Sequence, residues 1–140
     1  MFDKILLAVD GSTHAEHATQ IAAEMARNQK AKELRIVVAY DVIPPYFGEP
    51  NMQFAIDARM EEAQTILRQA VNAIGKIPCE IHTELIEGPA AEAIIDVATT
   101  RKSDIIVMGS RGLGKLAGLL LGSTSQKVVA HAPCPVLITR

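Results

Sequence analysis

The sequence predicts a single-domain α/β fold, in which four helices cover the two faces of an open, doubly wound sheet of five mainly parallel strands. Two observations carry this prediction. Short apolar runs typical of strands alternate with helix-like stretches along the chain, and 140 residues are the length of one domain. Strands separated by helices pair in parallel, because each crossover returns the chain to the same end of the sheet.

The N-terminal half contains two predicted strands and two predicted helices. The mainly apolar runs Ile5–Val9 and Leu34–Tyr40 are typical of strands buried on both faces. Between them, Thr13–Glu16 matches a capping box at the start of a helix over residues 15–29. A second helix is predicted over about 51–75, where apolar residues at steps of three and four form one stripe. These residues are Ile56, Met60, Ala63, Leu67, Ala70 and Ile74.

The C-terminal half repeats the alternation. Glu80–Ile86 alternates only in part between apolar and polar residues, which predicts a less buried strand at a sheet edge. Pro89, after a glycine, stands at the predicted first position of the next helix. The strand Ile105–Met108 follows, then a second capping box at Ser123–Gln126 that begins the last helix. The chain closes on the short strand Val136–Thr139.

Composition excludes several classes of function. The net charge of −2 and the pI near 6.1 argue against nucleic-acid binding, which usually shows a basic surface, and aromatic residues are few. No run approaches the ~20 apolar residues of a membrane span, and no signal-peptide pattern begins the chain. Cys79 and Cys134 are too few and too far apart for a disulfide framework. We therefore expect a cytoplasmic protein.

The most informative segment follows the predicted fourth strand. Five of the nine glycines lie between positions 109 and 122, directly before the hydroxyl side chains of Ser123 and Thr124. Glycines let main-chain N–H groups approach an anion, and a helix N-terminus adds unpaired donors and a positive dipole end. This pattern predicts a phosphate-binding loop.

Two common phosphate motifs almost match this loop, and neither fits. Gly109-x4-Gly114-Lys115 resembles a P-loop, but Leu116 replaces the Ser or Thr that would hold Mg²⁺. The spacing Gly112-x-Gly114-x-x-Ala117 resembles a dinucleotide fingerprint, but it does not immediately follow the strand. It also lacks the acidic residue expected about 20 positions further on.

A longer spacing, Gly109-x2-Gly112-x9-Gly122-Ser123, resembles the nucleotide-binding motif of the universal stress protein family. The resemblance covers essentially the whole chain and is weakest over Asp41–Pro50. Three further segments carry it: Lys4–Ser12, Ser103–Gly112 and His131–Ile138.

The resemblance implies a strand order of 3-2-1-4-5, as in adenine nucleotide alpha hydrolase-like folds. Because the chain keeps all of the motif glycines, it resembles the members of the family that bind ATP; whether Mg²⁺ or Mn²⁺ accompanies the nucleotide stays open. The last strand, Val136–Thr139, is apolar and would form an unprotected sheet edge. Relatives commonly dimerise through this strand, so the resemblance implies a homodimer.

The order 3-2-1-4-5 puts the ligand crevice between the ends of the first and fourth strands, which are Asp10 and Gly109. Asp10 would accept hydrogen bonds from the ribose or the adenine edge, help hold a cation, or only help to cap the following helix. Ala8, Val9 and Met108 would line the adenine slot. Tyr40 stands where the resemblance implies a backbone contact to the base, and its ring would either stack on the purine or cover the sheet edge.

The loop supplies the remaining candidate residues. Glycine at position 109 would let the strand end meet the ribose, and Arg111 and Lys115 would neutralise phosphate charge or remain solvated. Main-chain amides and hydroxyl groups would hold the phosphates. The nucleotide-binding residues that we expect here are Gly109, Ser110, Arg111, Gly112, Gly114, Lys115, Gly122, Ser123 and Thr124.

Catalytic groups are not recognisable in the sequence. The motifs assemble no Ser-His-Asp or Cys-His arrangement and no base for a water nucleophile, and the four histidines show no metal-binding spacing. We therefore expect an ATP-binding stress-response module with at most slow hydrolysis. The alternative is a nucleotide hydrolase or adenylyl-transfer enzyme on the same fold. A phospho-receiver is disfavoured because Asp10 stands alone at the end of the first strand.

Overall fold

The computed structural model describes residues 2–42, 48–111 and 121–140. Strands and helices alternate throughout these ranges, as the sequence predicts. The strands are β1 (Lys4–Ala8), β2 (Glu33–Tyr40), β3 (Glu80–Glu87), β4 (Ile105–Gly109) and β5 (Val136–Thr139). The helices are α1 (Thr13–Asn28), α2 (Asn51–Ile74), α3 (Ala90–Thr100) and α4 (Ser123–His131).

The five strands form one sheet in the order β3-β2-β1-β4-β5, and every neighbouring pair is parallel. The predicted fold class and the strand order implied by the family resemblance are both confirmed. The central strand β1 lies between β2 and β4 and is buried along most of its length. Its carboxyl end and that of β4 therefore meet at the middle of one edge of the domain.

Alternate residues of β1 face two separate apolar layers. Ile5 and Leu7 pack with α1 and α2, whereas Leu6 and Ala8 pack with α3 and α4. The helix that follows β1 and the helix that follows β4 thus leave the sheet on opposite faces. A crevice opens between two strands wherever their helices diverge in this way, outside the carboxyl ends of the strands.

The edge strand β3 is less buried than the central strands, as its partial alternation indicates. Ile81 and Leu85 pack against the layer formed by α1 and α2. Their neighbour Glu84 points to the other face, where it binds the guanidinium of Arg35 at 3.1 Å. Arg35 is itself buried and forms a second ion pair at 3.1 Å with Glu33.

The helices begin at slightly different residues from those predicted. Ser12, not Thr13, is the N-cap of α1: its backbone is extended, and its hydroxyl accepts a hydrogen bond from the N–H of Ala15 at 3.1 Å. Pro89 is the N-cap of α3 and not its first helical residue. The capping box predicted at Ser123 is also wrong, because Gly122 takes the extended N-cap conformation and Ser123 is already helical.

Within the described ranges, no helix is both long enough and apolar enough to cross a bilayer.

Candidate functional site

A cavity of ≈ 470 Å³ opens at the carboxyl ends of β1 and β4, in the crevice where α1 and α4 diverge. This volume lies within the range of small-molecule and cofactor sites. The cavity has two chemically different sides, which are an apolar floor on the sheet and a polar rim around the start of α4.

The floor is made of small and aliphatic side chains. Small residues leave space for a flat ligand, and the aliphatic ones provide the apolar contact surface. They come from the ends of three neighbouring strands and from the start of α3. The floor residues are Ala8, Val37, Ala39, Ala90, Ile94 and Met108.

The rim gathers hydrogen-bonding groups at the first turn of α4. Ser123, Thr124 and Gln126 line the cavity there, and Arg111 lines it from the end of β4. The first amides of a helix have no intrahelical acceptors, and no described side chain caps α4 at Gly122. The helix therefore presents N–H donors and its positive dipole end to the cavity, a combination that suits an anion.

The start of α1 is arranged differently, although it also borders the cavity. Its donor at Ala15 is already satisfied by Ser12. Asp10 lies on the cavity lining, and one of its carboxylate oxygens accepts the N–H of Ser12 at 2.9 Å. Asp10 thus shapes the turn into α1 while remaining exposed at the rim.

Gly109 lines the cavity, but the contact that requires a glycine there is with protein. A Cβ atom at position 109 would lie 2.7 Å from the Cβ atom and 2.9 Å from the carbonyl carbon of His14. Because such distances are too short for carbon atoms, the end of β4 can pack against the first turn of α1 only without a side chain. The sequence-based explanation, an approach to the ribose, missed this packing role.

Ser110 is buried and does not line the cavity, contrary to what we expected from the loop motif. Its N–H donates to the carbonyl oxygen of Thr139 at 2.7 Å, and its hydroxyl lies 2.8 Å from Nδ1 of His14. Its carbonyl oxygen accepts the N–H of Gly122 at 2.7 Å and the hydroxyl of Ser125 at 2.6 Å. Ser110 therefore connects α1, α4 and β5.

Tyr40 was also expected at the cavity and is absent from its lining. Its side chain packs with the layer formed by α1 and α2, on the face of the sheet opposite to Ala8 and Met108. Because neighbouring residues of a strand point to opposite faces, Ala39 takes the place on the floor.

Of the fourteen predicted residues, the structure places nine on the cavity lining and two away from it, and three lie outside the described ranges. On the lining lie Ala8, Val9, Asp10, Met108, Gly109, Arg111, Gly122, Ser123 and Thr124. Ser110 and Tyr40 lie away from it, and three loop residues fall outside the described ranges: Gly112, Gly114 and Lys115. Sequence reasoning missed eight lining residues, namely Ser12, Ala15, Val37, Ala39, Ala90, Ile94, Ser125 and Gln126.

In the described part of the chain, no three or more His, Cys, Asp or Glu side chains come together as a metal site. Asp10 is the one carboxylate among the described lining residues.

The chain resembles proteins of one family over its full length. The model of the universal stress protein family matches residues 1–140. The universal stress protein in the QAH/OAS sulfhydrylase 3′ region of Thermus aquaticus is 47% identical over 140 residues, which cover 100% of both chains.

Solved structures of the same family have the same fold. UspA from Lactobacillus plantarum has a TM-score of 0.87 at 28% identity, with 99% of this chain and 98% of that chain covered. A universal stress protein in complex with cAMP has a TM-score of 0.75 at 26% identity, covering 99% and 97%. The protein from Archaeoglobus fulgidus in complex with dAMP has a TM-score of 0.72 at 25% identity, covering 99% and 98%. The chain therefore belongs to the universal stress protein family.

Proposed function

We propose that the protein binds an adenine nucleotide, with ATP as its preferred ligand, and acts as a nucleotide-dependent module in the stress response. The observation that carries this proposal is the division of the cavity into an apolar floor and a polar rim at the start of α4. A purine ring requires apolar surface on its faces, and phosphates require N–H and O–H donors. The cavity supplies both within ≈ 470 Å³.

The two sides of the cavity suggest how the nucleotide lies in it. The adenine would rest on the floor beside Ala39 and Met108, because burial of its faces removes apolar surface from water. The phosphates would meet the amides and hydroxyls of Ser123 and Thr124, next to Arg111. The ribose would then come close to Asp10, whose carboxylate accepts hydrogen bonds from hydroxyl groups.

The choice of adenine is supported by the relatives whose structures contain cAMP and dAMP. The choice of a triphosphate rests on the five glycines between 109 and 122. A divalent cation such as Mg²⁺ fits this donor set only as a companion of the nucleotide, because Mg²⁺ usually takes one or two carboxylates plus substrate phosphates. Asp10 would be its protein ligand, and its chemistry would be to neutralise phosphate charge.

We propose that hydrolysis is slow. Among the described lining residues, Asp10 is the one group that can accept a proton from water, and its hydrogen bond to Ser12 already occupies one oxygen. Typical enzymes turn over about ten times per second. A rate near that value that is lost in Asp10→Ala would favour the alternative, a true nucleotide hydrolase.

We further propose a cytoplasmic homodimer that pairs through β5. The other open edge, β3, carries three glutamates among its eight residues, and charged side chains oppose strand pairing there. In contrast, β5 exposes a half-buried aliphatic run, Val136–Ile138. The cytoplasmic location is supported by the two cysteines, which are both free.

Calorimetric titration with ATP, ADP, AMP, cAMP and GTP tests the proposed ligand. We expect binding of the adenine nucleotides with ATP strongest, and weaker binding by Asp10→Asn. Asp3→Asn is the matched control, because Asp3 precedes β1 at the edge of the sheet opposite to the cavity and pairs with Lys32 at 3.8 Å. Absence of heat with every nucleotide, together with no nucleotide retained on purification, would refute the proposal.

A further inference from the structure

His14 and Ser110 form a hydrogen bond between two parts of the chain that are 96 residues apart. Nδ1 of His14, in the first turn of α1, lies 2.8 Å from the hydroxyl oxygen of Ser110, directly after β4. Neither residue lines the cavity. Their contact therefore has no direct role in holding a ligand.

Through its carbonyl oxygen, Ser110 is also hydrogen-bonded to residues that do line the cavity. The carbonyl oxygen of Ser110 accepts the N–H of Gly122 and the hydroxyl of Ser125, at 2.7 and 2.6 Å. These two bonds join the end of β4 to the start of α4. The carbonyl group of Ser110 thus contacts both the N-cap residue and the first turn of α4.

His14 also fixes the end of β4 by direct packing. Gly109 lies so close to His14 that a Cβ atom there would be 2.7 Å from the Cβ of His14. On the other side of the cavity, Asp10 and Ser12 hold the beginning of α1 to the end of β1. The first turn of α1 is therefore joined to the ends of both β1 and β4, and His14 makes the contact with the end of β4.

We infer that His14 is a positioning residue for the nucleotide site: by holding Ser110, it fixes the N-terminus of α4 where the phosphates bind. This inference rests on the proposed function. In the adenine floor, Val37 and Ala39 lie on β2, which β1 separates from β4 and Ser110. Loss of His14 should therefore weaken the contribution of the phosphates to affinity and leave that of adenosine unchanged.

The chain offers a matched control on the same helix. His17 lies one turn further along α1, and its Nδ1 bonds to the main-chain oxygen of Arg140, not to Ser110 or Gly122. Both alanine variants remove an imidazole from α1, where His14 is half-buried and His17 is exposed. Of these two histidine-to-alanine variants, only His14→Ala removes the bond to Ser110. The variant His14→Asn keeps a polar atom near the position of Nδ1.

The experiment measures the dissociation constants of ATP and adenosine for the wild type, His14→Ala, His14→Asn, Ser110→Ala, the His14→Ala/Ser110→Ala double variant and His17→Ala. A lost hydrogen bond of ordinary strength predicts an ATP affinity about three- to tenfold weaker in His14→Ala and in Ser110→Ala. The double variant should be no weaker than either single variant. Adenosine affinity should stay within twofold, and His14→Asn should recover most of the loss.

Hydrogen exchange at the amide of Gly122 provides a readout that needs no nucleotide. Because this N–H donates to Ser110, it should exchange faster in His14→Ala than in the wild type or in His17→Ala. Unchanged exchange would overturn the inference whether or not nucleotides bind.

The remaining outcomes separate the inference from the proposed function. If the wild type binds ATP and His14→Ala binds it equally well, the inference is wrong and the proposed function stands. Equal losses for ATP and adenosine would indicate general damage to the fold and would also overturn it. A wild type that binds neither ligand refutes the proposed function, and the positioning role falls with it.

Discussion

Gly109 packs directly against His14, with no room for a methyl group between the end of β4 and the first turn of α1. We expect Gly109→Ala to lower the free energy of unfolding by about 1–3 kcal/mol, the usual cost of overpacking. The neighbouring atoms are a Cβ and a main-chain carbon of His14, and neither can move without shifting α1. Urea denaturation measures the loss.

Gly122→Ala is the control for this prediction. A Cβ atom at position 122 would lie 3.4 Å from Cα of Arg111, which is close to ordinary contact. The loss should therefore be clearly smaller than for Gly109→Ala. Equal losses in the two variants would show that the packing against His14 is not what requires glycine at position 109.

Ala39 and Tyr40 are neighbours on β2 that face opposite sides of the sheet, so they provide a test of the proposed adenine position on the floor. In Ala39→Leu, the larger side chain should fill part of the cavity and weaken both ATP and adenosine by about tenfold or more, or ~1.4 kcal/mol. Tyr40→Leu should leave both affinities within twofold, since Tyr40 packs with the α1 and α2 layer. Titration calorimetry measures each constant.

The reverse result, with nucleotide affinity lost in Tyr40→Leu and retained in Ala39→Leu, would mean that the ligand does not lie on this floor. Thermal unfolding of both variants checks that they are folded.

The position of Tyr40 illustrates what the sequence can and cannot predict. A run such as Leu34–Tyr40 carries apolar residues on both faces, so it reveals a buried strand but not which of its residues face the ligand. The element order and the parallel sheet follow from periodicity, whereas the strand order came from the family resemblance. The role of Ser110 depends on bonds to His14, Gly122 and Thr139, which are distant in sequence and leave no local pattern.

Arg35 is a buried cation held by two carboxylates, Glu33 and Glu84, each at 3.1 Å. We expect Glu84→Ala to lower the free energy of unfolding by about 1–3 kcal/mol, because it removes one partner from a largely desolvated guanidinium. The side chain of Glu84 is 19% exposed, so the loss should fall below the 3–5 kcal/mol of a fully buried pair. Chemical denaturation provides the measurement.

The exposed pair between Lys32 and Asp3 is the comparison. Their side chains are 79% and 48% exposed, and exposed pairs contribute at most about 1 kcal/mol. Asp3→Ala should therefore have little effect on stability. A loss as large as that of Glu84→Ala would contradict the view that burial of Arg35 makes the difference.

Cys79 should react slowly with alkylating reagents at neutral pH. Burial raises the pKa of its thiol above the ordinary value of 9.0. A hydrogen bond with the backbone of Leu34 lowers this pKa, and the charges of Glu33 and Glu80 raise it further; the net shift is upward. Since only the thiolate reacts, labelling by iodoacetamide should be slower in the folded protein than in urea, with its rate rising only at alkaline pH.

The same pKa shift has a consequence for stability. A thiol with a raised pKa in the folded state favours folding while it is neutral, so its contribution is complete below pH 9.0 and is lost as the pH rises through the folded pKa. Cys79→Ala should flatten that alkaline decline in a denaturation series. An equally steep decline in the variant would exclude Cys79 as its source.

The geometry of β5 indicates which of its amides are available for pairing with a second chain. The carbonyl oxygens of Pro135 and Thr139 accept N–H groups from Ile106 and Ser110, on the β4 side. Because main-chain groups alternate along a parallel strand, Leu137 also faces β4, whereas Val136 and Ile138 direct their N–H and C=O groups to the open edge.

We therefore expect Ile138→Pro to abolish the proposed dimer while retaining the sheet, because proline removes a donor from the open edge and none from the β4 ladder. In sedimentation equilibrium, the wild type should have twice the 15.1 kDa mass of one chain, and the variant should have the mass of one chain. Circular dichroism should show that Ile138→Pro is folded. Leu137→Pro loses a main-chain hydrogen bond to β4, so it should unfold at a much lower temperature when circular dichroism follows thermal unfolding. A folded Ile138→Pro that remains dimeric would exclude pairing through β5.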